Sequence, residues 1–241
     1  MAQKSFASET HQAQQQLNSF DFAQIDQMDP SLAEGLRCIY DKDIYYTIRF
    51  YRDENETQDL ENHEPLRTRI FILGDEKNPQ FLKIEVSSDN DIFFHFVHKA
   101  DQNNYKQIKA EQNLNLEFNE YPAICIKCFN KVEKATNHNQ YNAIFTIMDN
   151  GSGRLEINQE TEYKNIEVMS FEFECSDDNF IRQVITYKYM SLKSKLSLME
   201  GRLQDIHEIV RVKNPSLLLS IKKETKDKQD KSKQSTIMKK N

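Results

Sequence analysis

Residues 171–210 read FEFECSDDNFIRQVITYKYMSLKSKLSLMEGRLQDIHEIV, and this stretch changes from the period of a β-strand to the period of an α-helix. Phe171, Phe173 and Cys175 alternate with two glutamates, which is the pattern of a half-buried antiparallel strand. Further along, apolar residues recur in alternating steps of three and four, the spacing of a coiled-coil seam. The seam residues are Tyr189, Leu192, Leu196, Met199, Leu203, Ile206 and Val210. The stretch therefore predicts a β-rich head followed by a coiled-coil helix.

The helix is expected to end at Asn214-Pro215, because proline blocks helix continuation and disfavours α geometry in the residue before it. This places the coiled-coil helix at residues 179–213 and a basic, disordered tail at residues 214–241. A different interpretation stays open at this point. The same pattern suits a single amphipathic helix that lies on its own sheet, because about three heptads are marginal in isolation.

Upstream of this stretch, we expect residues 37–178 to form the head. Residues 1–36 are rich in polar side chains and are expected to be a flexible extension that docks at most one short helix. Short β-branched and aromatic runs predict strands, and residues 149–153 predict a hairpin turn. Two helical patches, residues 101–112 and 121–133, interrupt the strands. The fold class is therefore α+β, an antiparallel β-sandwich or barrel with a helix-turn-helix insertion. The predicted strands are IYYTIRFY, TRIFIL, FLKIEV, IFFHFV, LNLEF, YNAIFTIM, RLEI and IEVMSFEFE.

Composition narrows the function classes. The 241 residues carry a net charge of -6, which argues against nucleic-acid binding by the whole domain. The chain has only five glycines and none lies in a phosphate-binding pattern, which argues against a nucleotide-binding P-loop or Rossmann fold. No apolar run reaches the roughly 20 residues that span a bilayer, and no signal peptide is evident, so we expect a soluble, intracellular protein without a membrane partner. The last 20 residues carry eight lysines against three acidic side chains. This basic segment is a candidate contact for acidic partners such as the tails of tubulin.

No catalytic, cofactor-binding or metal-ligating site is predicted. Cys125 and Cys128 have the spacing of half a zinc site, but His95 and His98 lie three apart in a predicted strand and point to opposite faces. The four cysteines are therefore expected to be free thiols. No GxSxG or HExxH pattern is present, and acidic pairs such as Asp177-Asp178 are typical of loops and helix caps. These observations do not favour an enzyme.

The order of these elements resembles the N-terminal domain of the spindle assembly abnormal protein 6 family, the centriolar cartwheel proteins. The resemblance covers roughly residues 40–205 and is strongest between Ile92 and Val132. No single motif is diagnostic, but the ordered set is fairly specific. It comprises Phe93-Phe94, Tyr105, Ile108-Lys109, Glu111-Gln112, Leu116-Glu117-Phe118 and Tyr121-Pro122, and it continues through Asp149-Asn150, Leu155–Phe173 and Lys195–Leu203.

The resemblance implies a structural protein whose coiled coil forms a parallel homodimer and whose heads associate in pairs. In that family a knob on a hairpin loop enters an apolar pocket of the neighbouring head. The knob corresponds to Tyr163, where typical members carry phenylalanine, and the pocket is expected to involve Tyr121, Ile124 and Phe129. The short coiled coil resembles the spoke-less branch of the family. The implied location is the cytoplasmic cytoskeleton, at a centriole, basal body or cilium, with other basal-body or ciliary proteins as partners.

Two other functions suit the same architecture. End-joining DNA repair scaffolds also place a β-rich head and a helix-turn-helix on a dimeric coiled coil, and they bind DNA ligase or DNA ends. The acidic head and the Tyr121-Pro122 and Tyr163 matches favour the centriolar family. A monomeric peptide-binding adaptor is the third possibility, and it predicts that a charge in the seam would leave the mass unchanged.

Overall fold

Seven strands close into a barrel in the computed structural model, which describes residues 22–51, 62–135 and 141–216. Around the barrel the order is β1-β2-β3-β4-β7-β6-β5. The barrel closes where β1 runs parallel to β5, and every other neighbouring pair is antiparallel. The strands are β1 Arg37–Phe50, β2 Asn62–Asp75, β3 Asn78–Ser87, β4 His95–Asp101, β5 Tyr141–Ile147, β6 Gly153–Glu160 and β7 Asn165–Cys175.

The helices are α1 Phe22–Asp26, α2 Tyr105–Glu111, α3 Tyr121–Glu133 and α4 Asp178–Lys213, and a 3-10 helix spans Pro30–Gly35. The bounds of α3 are those predicted, and α4 ends directly before Asn214-Pro215. The predicted β-rich head with a helix-turn-helix insertion and a following helix is therefore confirmed. The hairpin turn before β6 is also confirmed, with Gly151 at a φ of 78°.

Two local predictions are wrong. The first helical patch begins at Tyr105 rather than at Asp101, because Asp101 is the last residue of β4 and its carboxylate accepts the backbone N–H groups of Asn103 and Asn104. The run at residues 114–118 forms no strand. Its apolar side chains pack on the core from an irregular segment, where the Leu116 carbonyl accepts the Tyr105 hydroxyl at 3.0 Å.

The core is filled by the inward-facing residues of the strands and by one face of α3. Along β1, the buried Ile44, Tyr46 and Ile48 alternate with more exposed residues, as a period of two requires. The helix α3 inserts its aromatic side chains among those of the barrel, and the rings of Phe129 and Phe171 stack at 5.6 Å. The insertion is therefore part of the core rather than an appendage.

Outside the barrel, a buried charged cluster fixes the chain before β1. Arg69 on β2 donates to the carboxylate of Asp29 at 2.5 Å and to the Ser31 hydroxyl at 2.8 Å. Lys83 on β3 donates to the Ser31 carbonyl at 2.9 Å. Glu85, whose side chain is 1% exposed, pairs with both cations at 2.7 and 2.9 Å. The extension, expected to be mostly flexible, is thus held on the head from Asp29 onward.

We expect replacement of Arg69 by methionine to lower the free energy of unfolding by about 3–5 kcal/mol, because Glu85 and Asp29 would lose their bonds from the guanidinium group while staying largely buried. Denaturant unfolding at neutral pH measures this. The matched control is Arg67→Met, since Arg67 pairs with Asp41 at a half-exposed site and should cost below about 1 kcal/mol. Equal losses for the two variants would contradict a structural role of the buried cluster.

The described residues fall into two compact units. Residues 27–187 form the head, which includes the first turns of α4. Residues 22–26 and 188–216 form the second unit, which holds most of α4 and which we call the stalk. Within the stalk, Lys195 donates to the carboxylate of Asp26 at 2.8 Å.

Candidate functional site

Tyr163 lies at the tip of the hairpin that joins β6 to β7, and its side chain is 88% exposed. The hairpin is closed by three hydrogen bonds between Thr161 and Lys164, one of which the Thr161 hydroxyl donates to the Lys164 carbonyl at 2.5 Å. The Thr161 N–H donates to the Lys164 carbonyl at 2.9 Å, and the Lys164 N–H donates to the Thr161 hydroxyl at 3.2 Å. A large aromatic ring is therefore held in solvent on an ordered turn, where a partner that covered the ring would gain the free energy of its burial.

The three residues expected to form the receiving pocket lie on α3, and two of them are fully buried in this structure. Tyr121 and Phe129 have no exposed surface, because their rings pack against Tyr105 and Phe171 inside the head. Ile124 alone is partly exposed. In this conformation Tyr121 and Phe129 support the head from within and offer no surface to a neighbour.

Tyr121 belongs instead to a buried polar chain that ties α3 to the barrel. The His98 Nδ1–H donates to the Glu172 carbonyl on β7 at 2.8 Å, so Nε2 accepts the Tyr121 hydroxyl at 3.4 Å. Burial lowers the pKa of His98 to about 4, because the charged imidazolium would lose its hydration. The imidazole is therefore neutral at physiological pH and links β4 to β7 across a stretch where the two strands are not paired.

This burial predicts a pH-dependent stability. Between pH 6.5 and 4 the unfolded chain binds a proton at His98 that the folded chain does not bind, so the contribution is complete above pH 6.5 and is lost as the pH falls toward 4. The full loss is about 3 kcal/mol. Urea unfolding at several pH values measures it, and His98→Asn should flatten the profile. His63→Asn at an exposed position is the control, and an unchanged profile in His98→Asn would contradict the assignment.

A cleft of about 970 Å³ opens where β4 and β7 diverge. The two strands pair only at Phe96 with Cys175 and at Val97 with Glu174, and α2 covers part of the gap beyond these pairs. Ile108 on α2 and Val168 on β7 line the cleft and are each partly buried against the core. The cleft thus combines apolar side chains with the edge of a strand.

Gln112 replaces a missing strand at this edge. Its side-chain N–H donates to the Ser170 carbonyl at 2.7 Å, and its side-chain oxygen accepts the Ser170 N–H at 3.0 Å. A neighbouring strand would bond the N–H and carbonyl groups of β7 in the same way, so the Gln112 side chain takes the place of a strand at Ser170. Gln112 contributes to the sequence resemblance, but its partner lies 58 residues away, so no local pattern could have assigned this role.

Charged groups surround the apolar part of the cleft. Arg154 donates to the carboxylates of Glu156, Glu167 and Glu172 at 2.9, 3.3 and 2.6 Å. The Ser170 hydroxyl lies 3.4 Å from the same guanidinium. A ligand that enters the cleft therefore meets hydrogen-bonding groups as well as Ile108 and Val168.

The coiled-coil seam lies exposed along the stalk. Its central residues Leu192, Leu196, Met199, Leu203 and Ile206 are each more than half exposed, and Leu192 and Leu203 reach 69%. Tyr189 is 63% exposed and Val210 is partly exposed. An apolar stripe of this length is typical of a helix that buries its face against another helix.

The charges that flank the seam distinguish the two ways in which identical helices can pair. With Tyr189 and Leu196 at heptad position a, the cations Lys188, Lys195 and Arg202 occupy position g. An antiparallel pair would place these cations opposite one another. A parallel pair places Lys195 opposite Glu200 of the second helix, although it also places Lys188 opposite Lys193. The flanks therefore favour the parallel arrangement.

The cysteines and histidines that were considered as metal ligands are not grouped into a site. Cys125 and Cys128 are buried free thiols, and burial raises the pKa of both. His95 and His98 do face opposite sides of β4, since His95 contacts Ser176 at 2.8 Å while His98 contacts Glu172. Among the described residues, no three His, Cys, Asp or Glu side chains are grouped as metal ligands.

No helix in the described part of the chain has the length and apolar character needed to span a bilayer.

Solved structures with the same fold come from centriolar proteins. An N-terminal fragment of Leishmania SAS-6 with parts of its coiled coil is 14% identical with a TM-score of 0.61, over 76% of this chain and 99% of that one. A Drosophila melanogaster Sas-6 fragment, dimerised through its coiled-coil domain, is 12% identical with a TM-score of 0.62, over 86% and 98%. The coiled-coil dimer of C. elegans SAS-6 is 15% identical with a TM-score of 0.53, over 68% and 95%.

The family assignment rests on the sequence as well. No curated protein matches the chain. The family model for the N-terminal domain of centriolar SAS proteins matches residues 38–173, which is more than half of the chain and extends from β1 to β7. The solved fragments of Leishmania and Drosophila melanogaster, which contain coiled-coil segments as well as N-terminal domains, match 76% and 86% of this chain. The chain therefore belongs to the family of centriolar SAS proteins and carries their N-terminal domain.

Proposed function

We propose that this protein is a structural scaffold of the centriole, basal body or cilium, and that it assembles by pairing of the stalk and by head-to-head contact. The observation that carries the proposal is the exposed seam from Tyr189 to Val210, on a helix that continues directly from a centriolar SAS head. The family is structural rather than enzymatic.

Pairing of the stalk is supported by the seam itself. Burying its leucine, isoleucine and methionine side chains gains about 1.5–3 kcal/mol for each residue that becomes fully covered. The helix carries about three heptads, so the expected product is a homodimer of modest stability rather than a permanent one. The g-position cations support the parallel orientation, which would bring both heads to the same end of the stalk.

For the head-to-head contact, Tyr163 is the proposed knob and the cleft between β4 and β7 is the proposed receiving site. Ile108 and Val168 suit the ring, and Arg154, Glu167 and Ser170 offer partners for the hydroxyl group that phenylalanine lacks. The tyrosine at this position is thus matched to a cleft whose rim is polar. Ile124, the partly exposed residue of the predicted pocket, lies outside the lining of this cleft.

The relative position of knob and cleft supports a symmetric contact. Both belong to one β-strand and its hairpin, since Glu167 and Val168 line the cleft only four and five residues beyond Tyr163. At roughly 3.3 Å per residue, the two features are about 15 Å apart along β7. A two-fold axis between them would place each knob in the cleft of the other head, as an isologous interface requires.

Further partners are proposed on chemistry alone. Other basal-body or ciliary proteins would bind the assembled scaffold, and the lysine-rich residues 217–241 would contact the acidic tails of tubulin. These residues lie outside the described part of the chain.

Localisation of the tagged full-length chain in a ciliated cell tests the proposal, with a basal-body marker and a DNA stain as references. Signal at basal bodies or along the cilium is the expected result. A nuclear signal would contradict it and would favour an end-joining scaffold, and a gel shift at physiological salt would then separate the two functions. The matched control is the same chain with Leu196 and Leu203 replaced by aspartate, which should lose the focal signal.

A further inference from the structure

One edge of β7 is open between the Tyr163 hairpin and the closed part of the cleft. The neighbour of β7 on the side away from β6 is β4, which pairs with it only at Glu174 and Cys175. No described strand pairs with residues 165–173 on that side, and residues 162–167 are all exposed. A strand edge without a neighbour presents backbone N–H and carbonyl groups to any extended chain that reaches it.

The hairpin shows which backbone groups of β7 point to the open side. Thr161 and Lys164 are a hydrogen-bonded pair, since the Thr161 N–H donates to the Lys164 carbonyl at 2.9 Å. Bonded and non-bonded pairs alternate along an antiparallel ladder, so Ile166 is the next residue of β7 that bonds to β6. Asn165 and Glu167 belong to the alternate set. Their N–H and carbonyl groups therefore point away from β6, toward the open side.

The far end of the open segment gives the same direction. Both backbone groups of Ser170 bond to the Gln112 side chain, so Ser170 also faces away from β6. It lies three residues beyond Glu167, whereas strict alternation requires an even number. The register shift of β7 against β6 supplies the extra residue, Val168, as a β-bulge. Both ends of the segment therefore place the backbone groups of Glu167 on the open side.

We propose that this edge pairs with the same edge of a second head, so that two copies of β7 form an antiparallel ladder centred on Ile166. The proposal rests on the head-to-head contact proposed above and specifies how the two backbones join. A two-fold axis at Ile166 places Asn165 opposite the partner's Glu167, and Glu167 opposite the partner's Asn165. Each pair exchanges both of its N–H to carbonyl bonds. An axis at either neighbouring residue would pair only one of the two with an open strand residue.

The same register brings the knob to the cleft. Residues at equal distances from the axis face one another, so the partner's Tyr163 lies level with Met169, three residues beyond Ile166. Met169 lines the cleft. Gln112 closes the edge one residue further on, at Ser170, where the partner's chain turns into its hairpin. The ladder and the docked knob are thus compatible in one two-fold arrangement.

The side chains along the edge suit pairing with a second copy of this chain. Ile166 is 40% exposed in a single head and would lie against the partner's Ile166 in a non-bonded pair, where side chains are closest. Glu167 lies opposite the partner's Asn165, and Lys164 lies opposite the partner's Val168. The register therefore joins two apolar side chains at the axis and places no like charges directly opposite one another.

A cysteine at the axis tests the register. In a non-bonded pair the two Cα atoms lie about 4.5 Å apart, which a disulfide spans. With glutathione disulfide as the oxidant, Ile166→Cys should therefore form a covalent dimer that is visible on a non-reducing gel. Asn165→Cys is the matched control, because its two copies would lie diagonally, about 7–8 Å apart, and should cross-link far more slowly. Both variants carry Cys38→Ser and Cys175→Ser, which remove the exposed thiols.

A proline tests the backbone bonds. Glu167→Pro deletes the N–H that each head donates to the other, and proline is tolerated where the N–H of a strand edge points away from its own sheet. The dissociation constant of the heads should rise by about 30-fold, since one bond is lost on each side of the axis. Glu167→Gln keeps the N–H and should change the constant by about threefold or less.

Both experiments use the full chain with Leu196→Asp and Leu203→Asp, so that association reports the heads alone. If Tyr163→Glu abolishes association there, but Ile166→Cys cross-links no faster than Asn165→Cys, the knob docks without a ladder and the proposal is overturned. An unchanged dissociation constant in Glu167→Pro overturns it equally. If the heads do not associate at all in this chain, the head-to-head contact and the ladder are both overturned.

Discussion

Replacing Leu196 and Leu203 together by aspartate is expected to convert the protein from a dimer to a monomer at tens of micromolar. Both residues lie at position a of the exposed seam, and a dimer would bury four carboxylates between its helices. Each lost leucine contact alone costs about 2–5 kcal/mol, so the dissociation constant should rise by at least about 1,000-fold. Sedimentation velocity should report the mass of one chain, 28.5 kDa, in place of twice that value.

The matched control carries the same charges on the outer faces of the same helix. Ser194→Asp with Gln204→Asp adds two carboxylates at exposed positions outside the seam, so the dimer should persist. An unchanged mass in the seam variant would contradict stalk pairing and would favour the monomeric adaptor. The head should stay folded in both variants, because it is a compact unit that ends at residue 187.

Replacing Tyr163 by glutamate is expected to abolish head-to-head association. A buried aromatic anchor at the centre of an interface is typically worth about 2–4 kcal/mol, so the contact should weaken by roughly 30–1,000-fold. The measurement is cleanest in the chain that already carries Leu196→Asp and Leu203→Asp, because any dimer that remains there must form through the heads. Analytical ultracentrifugation at increasing concentration then reports the head contact directly.

Two further variants test whether the loss of head-to-head association is specific to the Tyr163 side chain. Tyr45→Glu introduces the same charge at an exposed tyrosine on the outside of β1 and should leave the head contact unchanged. Tyr163→Phe keeps the ring and removes only the hydroxyl. If the hydroxyl is bonded in the cleft, Tyr163→Phe should weaken the contact by roughly 3–10-fold. Association that survives Tyr163→Glu would show that the heads meet through a different surface.

Much of the fold was predictable because its signals are local. The alternation in β7, the helix at Tyr121–Glu133 and the end of α4 before Asn214-Pro215 follow from spacing within a few residues. The run at residues 114–118 was mispredicted for the same reason. Its alternating apolar residues suit a strand, but Tyr105 and the core bind it as an irregular segment instead. Tertiary packing overrides local propensity at such a position.

The candidate site was predictable only in part. Tyr163 could be placed on a hairpin tip from the sequence resemblance, and the structure exposes it there. The resemblance implied an apolar pocket that involves Tyr121 and Phe129, and the structure buries both side chains in the core of the head. The cleft between β4 and β7 had no local signal, because it arises from the divergence of two strands that are far apart in sequence.

The amino-acid sequence by itself determined the periodic features: the strands of the head, the stalk helix and its apolar seam, and the family to which they belong. Only the tertiary structure decided which side chains are surface and which are core. The folded barrel forms the hydrogen bonds from Arg69 to Asp29, from Gln112 to Ser170 and from His98 to Glu172, which no local pattern predicts. The physical reason is that periodicity depends on neighbours a few residues apart, whereas burial and polar pairing depend on residues that meet only when the barrel closes.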